Sequence, residues 1–417
     1  MKKLVIPLLG LIFLAIFSFR LLSVSNLDIP EEKTITLRGY ITKQPYLKGS
    51  NQIIYLENIM LISERFPGFS YGDHLEVVGT FEKRVINPFL ISYSAKFPSI
   101  SLLEEKGKMS VGVSLKKILF NTRSRFERVI NEVLSEPEAS LLAGILLGIK
   151  KSMPDDFYES LRKTGTLHII VASGYNVSVV SGFIVFLLAG ALGRKKAVAL
   201  GFTAIVFYCL MVGADPPVVR AAIMATLGFL AVIVGRLKIG FLTLIAAAGL
   251  MILVSPLILF DLGFQLSFLA TAGILTIYPL LKRKKIFKIP FFGCNLATTL
   301  SAQIAVTPLI LFRFGEVSFL SPLINALVLP LVPIVMNMGA LMVFAGLLFL
   351  PLAKLIGLFL WPILHIFVVL VEFFSNFGFA KMVVEDLSFW WVAGYYFVLT
   401  GFIYKNREKW TEETRSF

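Results

Sequence analysis

Ten apolar runs, each about the length of a bilayer crossing, decide most of what this chain can fold into. They lie near 4–23, 168–193, 197–213, 217–235, 239–258, 262–281, 290–312, 318–349, 352–374 and 388–404. A backbone inside hydrocarbon has to satisfy its own polar groups, so such runs form helices. The expected fold class is mainly α: a polytopic helical membrane protein of about ten spans. Hydrophobic residues make up 57% of the 417 and charged ones only 16%, which excludes an ordinary soluble chain. Pro, Gly or amide residues interrupt several runs, at Asp215-Pro216-Pro217, Ser255-Pro256, Thr307-Pro308, Ser321-Pro322 and Pro330/Pro333. Broken helices at membrane depth are tolerated where they line a cavity or are buried in protein.

The formal charge of +14 invites a nucleic-acid reading until its distribution is examined. Ten crossings put both termini on one side. Lys2-Lys3, Arg194-Lys195-Lys196, Arg236/Lys238, the cluster from Lys282 to Lys288, Lys354 and the tail from Lys405 fall on that same side. These segments hold 17 Lys/Arg and 3 Asp/Glu, a net of +14, while the rest of the chain has 23 of each. The positive-inside rule makes that side the cytoplasm. The basic excess is therefore topological and argues nothing about DNA or RNA. Cys209 and Cys294 sit in apolar context and imply packing without a disulfide framework.

The chain divides into five stretches. Residues 1–25, Lys2-Lys3 followed by VIPLLGLIFLAIF, read as an uncleaved signal-anchor helix, since no small-residue cleavage site precedes Asn26. Residues 26–112 form an external β domain. Strand-like runs at 34–41, 52–62 and 74–82, separated by turn signals at Lys48-Gly49-Ser50, Pro67-Gly68 and Tyr71-Gly72-Asp73, suit a small OB-like barrel. Tyr40, Tyr46, Tyr55, Phe66, Phe69 and Tyr71 are available as base-stacking platforms, but barrel-core packing is the simpler reading of most of them. The 15 basic and 12 acidic residues of 24–135 are too balanced for a strong electrostatic groove. Residues 113–165 carry a basic amphipathic helix and a short apolar run at 140–149, re-entrant or interfacial. The membrane domain occupies 166–405 and a cytoplasmic tail 406–417.

Most catalytic chemistries fail on residue counting. With only His74, His168 and His365, the dense ligand set of a two-metal hydrolase is missing, so no metal site is expected. No GxxxxGK[ST] loop is present and no cofactor is implied. The most polar of the membrane segments is Gly165 to Gly182, GTLHIIVASGYNVSVVSG. Polar groups in hydrocarbon must find partners, and glycine lets a helix break or a backbone approach something closely. A Ser173–His168 nucleophile pair is disfavoured, because a five-residue offset lies far round a helix. Hydrogen bonding between helices and the lining of a conduit both account for Ser173, Asn176, Ser178 and Ser181. Arg220 is read two ways, as a salt-bridge partner of Asp215 or Asp261 or as a guide for an anion. Gln265 and Ser267, Asn295 and Gln303, and Asn325 and Asn337 extend the polar inventory.

These residues occur in recognisable order. HIIVASGYNVSVVSG resembles the H-x-x-A-V-S-G-L-H signature of ComEC-type competence proteins. PPVVRAAIMATLGFLA, with Arg220, is similar to that family's V-R-A-x-x-M segment, Gly263 to Phe268 to its G-F-Q-L-S-F, and SPLINALVLPLVP to its S-P-x-x-N-x-x-x-x-P. The order and spacing match across about 165–335, and the 34–90 region is similar to the family's OB-like domain. The resemblance implies a non-enzymatic channel component that carries single-stranded DNA across the bacterial inner membrane during natural transformation. It implies a transport pathway through His168, Ser173, Gly174, Asn176, Arg220, Gln265, Ser267 and Asn325. The implied partners are single-stranded DNA, the lipid bilayer, a cytoplasmic ATP-driven motor and a separate nuclease, with homo-oligomerisation left open. The family's second His falls at Asn176, which does not titrate near neutrality. The metallo-β-lactamase-like C-terminal domain of many members has no counterpart here, a short form in which strand degradation falls to another protein. A membrane enzyme or small-molecule transporter on the same scaffold is the alternative.

Overall fold

The computed structural model describes residues 13–21, 30, 33–48, 51–56, 59–69, 71–87, 90–103, 111–149, 153–170, 173–233, 240–289, 292–377, 381–384 and 387–406. Most of the expected signal anchor, Gly49-Ser50, Val171-Ala172, Arg236/Lys238 and the tail from Arg407 lie outside the described residues. Residues 13–21 are helical (α1). Contacts divide the chain into two compact units, 1–124 with 251–260, and 125–250 with 261–417.

The first unit is built on seven strands: β1 (Ile35–Lys48), β2 (Asn51–Leu56), β3 (Ile59–Glu64), β4 (His74–Gly79), β5 (Glu82–Asn87), β6 (Leu90–Lys96) and β7 (Ser99–Leu102). Their hydrogen-bonded order is β5-β6-β3-β2-β1-β4-β7, so strand pairing leaves the sheet open. β1 serves two neighbours. Ile35–Tyr40 pair with β4, and from Ile41 onward the strand pairs with β2, with irregularities between Ile41 and Tyr46. β3 and β6 run parallel; the other pairs of this sheet are antiparallel. Period-two alternation sets the inner face: in β3 Ile59 and Leu61 are buried while Met60 and Ile62 are half-buried, and in β4 Leu75 and Val77 point inward. Ile41, Ile54, Phe81 and Tyr93 complete this core. Phe69 is buried with it and Tyr71 is buried as well, whereas Tyr40 and Phe66 are exposed and Tyr40 stacks on His74 at 4.4 Å.

The helices that follow are α2 (Val111–Val133), α3 (Glu138–Leu147), α4 (Asp155–Thr164), α5 (Leu167–Ile170), α6 (Gly174–Leu192), α7 (Arg194–Val212), α8 (Pro216–Ile233), α9 (Gly240–Val254), α10 (Leu262–Lys282), α11 (Phe292–Phe314), α12 (Ser321–Val328), α13 (Val332–Leu348), α14 (Leu350–Ser375) and α15 (Phe389–Lys405). A short hairpin pairs β8 (Glu316–Ser318) with β9 (Lys381–Val383). Five stretches, 174–192, 262–282, 292–314, 321–348 and 350–375, are long and apolar enough to cross a membrane, and 199–212, 216–230 and 240–254 are shorter apolar helices. Apolar side chains such as Leu355, Phe359, Trp390, Trp391 and Phe397 lie on the outer surface, as expected of a body that faces lipid.

Several expected interruptions fall where proline can sit without breaking a hydrogen-bond ladder. Pro216 opens α8, Pro322 lies in the first turn of α12, and the run expected at 318–349 breaks into α12, a 3-10 turn at Leu329–Leu331 and α13. Thr307-Pro308 is a correction, because α11 continues through Pro308. The apolar run at 140–149 is α3, and all ten of its residues are buried. It is a core helix packed against α13 and α14, since ten residues reach only about 15 Å, half a bilayer core. The amphipathic stretch at 113–134 is α2, which turns Phe126, Val129 and Ile130 inward.

Candidate functional site

The polar segment of the membrane domain folds as a helix end, a break and a new helix. α4 begins after Pro154 with Asp155 and Asp156 in its first turn and ends with Arg162 and Lys163, charges that suit its dipole. Gly165 closes it in the left-handed conformation, φ +70°, as Thr166 N donates to Leu161 O at 2.9 Å. One turn of α5 follows, and α6 starts from Ser173, whose backbone is extended. The run expected as one span at 168–193 is thus broken before Gly174.

Ser173 does not cap the helix it precedes. Its Oγ donates to Asn176 Oδ1 at 3.2 Å, and Asn176 Nδ2 donates to the Ile145 carbonyl in the last turn of α3 at 3.0 Å. Asn176 is 1% exposed, so both halves of its amide are used inside the protein. Among the described residues, the amides of the first turn of this 19-residue helix therefore receive no side-chain cap.

Arg220 of α8 lies against that end. A methyl group on Gly174 would sit 2.8 Å from Arg220 Nη2 and 3.1 Å from Ala221 Cβ, so a larger residue here would displace the guanidinium. Arg220 Nη1 donates to the Ser267 carbonyl of α10 at 2.8 Å, and its Cζ lies 5.9 Å from the centroid of Phe268. Among the described residues no carboxylate pairs with it, and its Nε is buried without a partner. Asp261, one expected salt-bridge partner, instead caps α10 by accepting from Phe264 N at 2.8 Å. The guanidinium and the uncapped helix end are two positive groups side by side in a low-dielectric setting, an arrangement an anion would relieve.

The remaining expected residues distribute around this centre. Ser173, Gly174, Asn176, Arg220 and Ser267 are brought together, Ser267 through its backbone oxygen. Gln265 lines a mostly apolar groove between α9, α10, α11 and α15, which also includes Phe268 and Tyr396. His168 and Asn325 belong to a second cluster. His168 Nδ1 is 3.0 Å from the Gly165 carbonyl, to which Ser321 Oγ also donates at 3.4 Å, and Asn325 Nδ2 donates to Ser321 Oγ at 3.0 Å. Gln303 joins the second cluster's edge by donating to Ser318 O at 2.9 Å. His168 and Ser173 are thus each bonded elsewhere and do not pair. Ser178 and Ser181 donate to carbonyls of their own helix. In the sequence Gly165 and Phe268 stand out only as the ends of their segments and not as pathway residues; the glycine that ends a charged helix was the available signal. Among the described residues no group of three or more His, Cys, Asp or Glu is placed to hold a metal.

Fold and site together define a helical membrane protein with an N-terminal β domain and, among the described residues, a half-buried arginine with no carboxylate partner. The chain belongs to the competence protein family, whose model matches residues 145–409. It is similar to ComE operon protein 3 of Bacillus subtilis (strain 168), 26% identical over 229 residues, which cover 54% of this chain and 28% of that protein. It is also similar to a protein of Aquifex aeolicus (strain VF5) described as uncharacterized, 29% identical over 188 residues, 44% of this chain and 42% of the relative. YcaI of Escherichia coli (strain K12) is 25% identical over 214 residues, 47% of this chain and 28% of its own. The chain thus spans less than half the length of each of these relatives. No solved structure matches.

Proposed function

We propose that the chain is a channel component that moves single-stranded DNA through the inner membrane into the cytoplasm. The observation that carries this reading is Arg220, a half-buried cation whose Nε is buried and which has no carboxylate partner among the described residues, set against the N-terminus of α6. Intramembrane charge is costly, and a guanidinium left without a carboxylate is placed to meet an anion that comes and goes. A polyanion moving through needs hydroxyls, amides, backbone N–H groups and few cations, because each phosphate held by a fixed cation adds to the hold on the strand. Membership of the competence family supports DNA as that polyanion.

On this reading about ten crossings leave both termini in the cytoplasm and the β domain outside. An OB-like closure of that domain is supported by chain continuity. Only Thr80 and Phe81 separate β4, which pairs with β1, from β5, which lies at the far end of the sheet order, so the sheet has to curl round. No catalytic step is assigned to the chain. Energy is assigned to a cytoplasmic ATP-driven motor and strand degradation to a separate nuclease.

The test follows labelled DNA into cells that carry a gene deletion, Arg220→Ala or Arg220→Lys. Deletion is expected to abolish entry to the cytoplasm while DNA still binds outside. Arg220→Ala is expected to lower entry about tenfold or more, the scale of losing a hydrogen bond to a charged group, with Lys restoring part of it. Normal entry in the deletion strain refutes the reading.

A further inference from the structure

Two polar atoms of the cluster around Gly165 are matched by none of the contacts described above. Asn325 of α12 is 1% exposed and Ser318 of β8 8%, and among the described residues neither Asn325 Oδ1 nor Ser318 Oγ has a hydrogen-bond partner. Buried polar atoms are normally matched, because one left alone loses its hydration and gains nothing in return. Hydrogen bonding between helices is the ordinary use of Asn and Ser in a membrane bundle. It accounts here for Asn325 Nδ2 and for Ser321, and leaves these two oxygens over.

The direction of the bonds decides what the unmatched amide atom is. A carbonyl only accepts, so the Ser321 hydroxyl donates to the Gly165 oxygen at 3.4 Å. Ser321 Oγ is then an acceptor towards Asn325, which turns its NH2 group to it at 3.0 Å. Asn325 Oδ1 is left on the other side as a pure acceptor. The cluster is tight and held from several elements. A methyl group on Gly165 would lie 3.0 Å from Ser318 Cβ and 2.9 Å from Ser321 Cβ, so both serines close on the glycine that ends α4. Ser318 is fixed by its own backbone, whose carbonyl accepts from Gln303 Nε2 at 2.9 Å and whose strand pairs with β9.

Amide and hydroxyl oxygens are hard ligands, suited to cations that prefer oxygen. Calcium and magnesium sites add carboxylates to offset two charges, and none of Gly165, Ser318, Ser321 and Asn325 brings one. Glu316, two residues before Ser318, is engaged with Arg162, Oε1 to Nε at 2.9 Å and Oε2 to Nη2 at 3.1 Å. Of the two basic residues in the last turn of α4, Arg162 is thus closed on a carboxylate and Lys163 is exposed. What reaches the cluster is the negative C-terminal end of α4, a partial charge that suits a single positive one. The run 318–349 also breaks beside it, into α12, a 3-10 turn and α13. Interrupted helices and helix C-terminal ends are where membrane proteins hold monovalent cations with neutral oxygens. We propose that Asn325 Oδ1, Ser318 Oγ and Ser321 Oγ form a binding site for a monovalent cation, which ties α12 to β8 at the end of α4. The site is independent of the DNA reading of Arg220.

Sodium is the probe, on the full chain in phosphatidylcholine nanodiscs, with choline chloride holding the ionic strength. Saturable binding of radioactive sodium, displaced by unlabelled sodium and not by choline, is expected. Ser318→Ala and Asn325→Ala are each expected to weaken it about tenfold or more, the scale of losing a contact to a charged group. Ser178→Ala, whose hydroxyl is bonded within α6, is expected to bind as wild type. Exchanging choline for sodium is also expected to raise the wild-type melting temperature and to leave that of Ser318→Ala unmoved, since an ion stabilises only the folded state that binds it. Absence of saturable binding means that water alone meets these oxygens, and overturns the proposal. Binding undiminished in Ser318→Ala, the smallest change in the cluster, overturns it as well, and so does displacement by calcium at a lower concentration than by sodium. If Asn325→Ala does not fold, Ser318→Ala carries the test alone.

Discussion

Gly273 lies at a close crossing of two spans of the membrane domain. On α10, a methyl group in its place would lie 2.5 Å from the Ser301 carbonyl oxygen and 2.5 Å from Ala305 Cβ, both on α11. Neither is the end of a flexible side chain, so Gly273→Ala forces the helices apart. Relief to an ordinary contact takes roughly 0.9 Å, an overpacking cost of about 1–3 kcal/mol. Alanine's greater helix propensity returns up to about 1 kcal/mol. The net expectation is a loss of about 1–2 kcal/mol. Gly182 on α6 is the matched control, because a methyl group there has no atom within 4 Å. Gly182→Ala should show only the propensity gain. Reversible unfolding in mixed SDS micelles, followed by circular dichroism, reads both midpoints. A Gly273→Ala protein as stable as wild type, alongside an unchanged or stabilised Gly182→Ala, refutes the close crossing of α10 and α11.

Asn176→Ala removes the donor to the Ile145 carbonyl and the acceptor of Ser173 Oγ. It should lower stability by about 1–3 kcal/mol in the same assay, the cost of stranding a buried polar partner. Arg162, outside the spans, is held above the usual guanidinium range by its hydrogen bond to Glu316 and then by that residue's charge. A raised folded-state value stabilises at every pH below the unfolded one and is lost only far into alkali, so the wild-type versus Arg162→Met difference should stay constant from about pH 7 to about pH 10.

Hydropathy made the helical class legible, since a long apolar run has few other solutions. Strand boundaries were less so: β5 (EKRVIN) and β7 (SISL) lack the alternation that announced β3 and β4, and their place in the sheet is set by pairing with distant strands. Polar residues in an apolar run marked Ser173, Asn176 and Arg220 as a group worth attention. Their partners stayed hidden because they are backbone oxygens, at Ile145 and Ser267, which no residue type advertises. Distance along the chain hid the contact of Glu138 Oε1 with His365 Nδ1 at 2.8 Å, 227 positions apart. Thr307-Pro308 misled for the opposite reason: proline reads as a break, yet α11 carries it within a continuous helix, as membrane helices can where neighbours re-satisfy the freed carbonyl.

The burial of α3 has a consequence for how the protein is made. Its walls, α13 and α14, and the imidazole that meets Glu138 all come from the far end of the chain. At about 5–20 residues per second, a ribosome needs roughly 10–45 s after Glu138 to reach the 227th residue beyond it. For that interval a short apolar helix headed by a carboxyl group, too short to hold itself across the bilayer, waits without its final neighbours. Membrane integration of this protein is therefore completed from the C-terminal side, and a nascent chain released before α14 leaves α3 without its final seat.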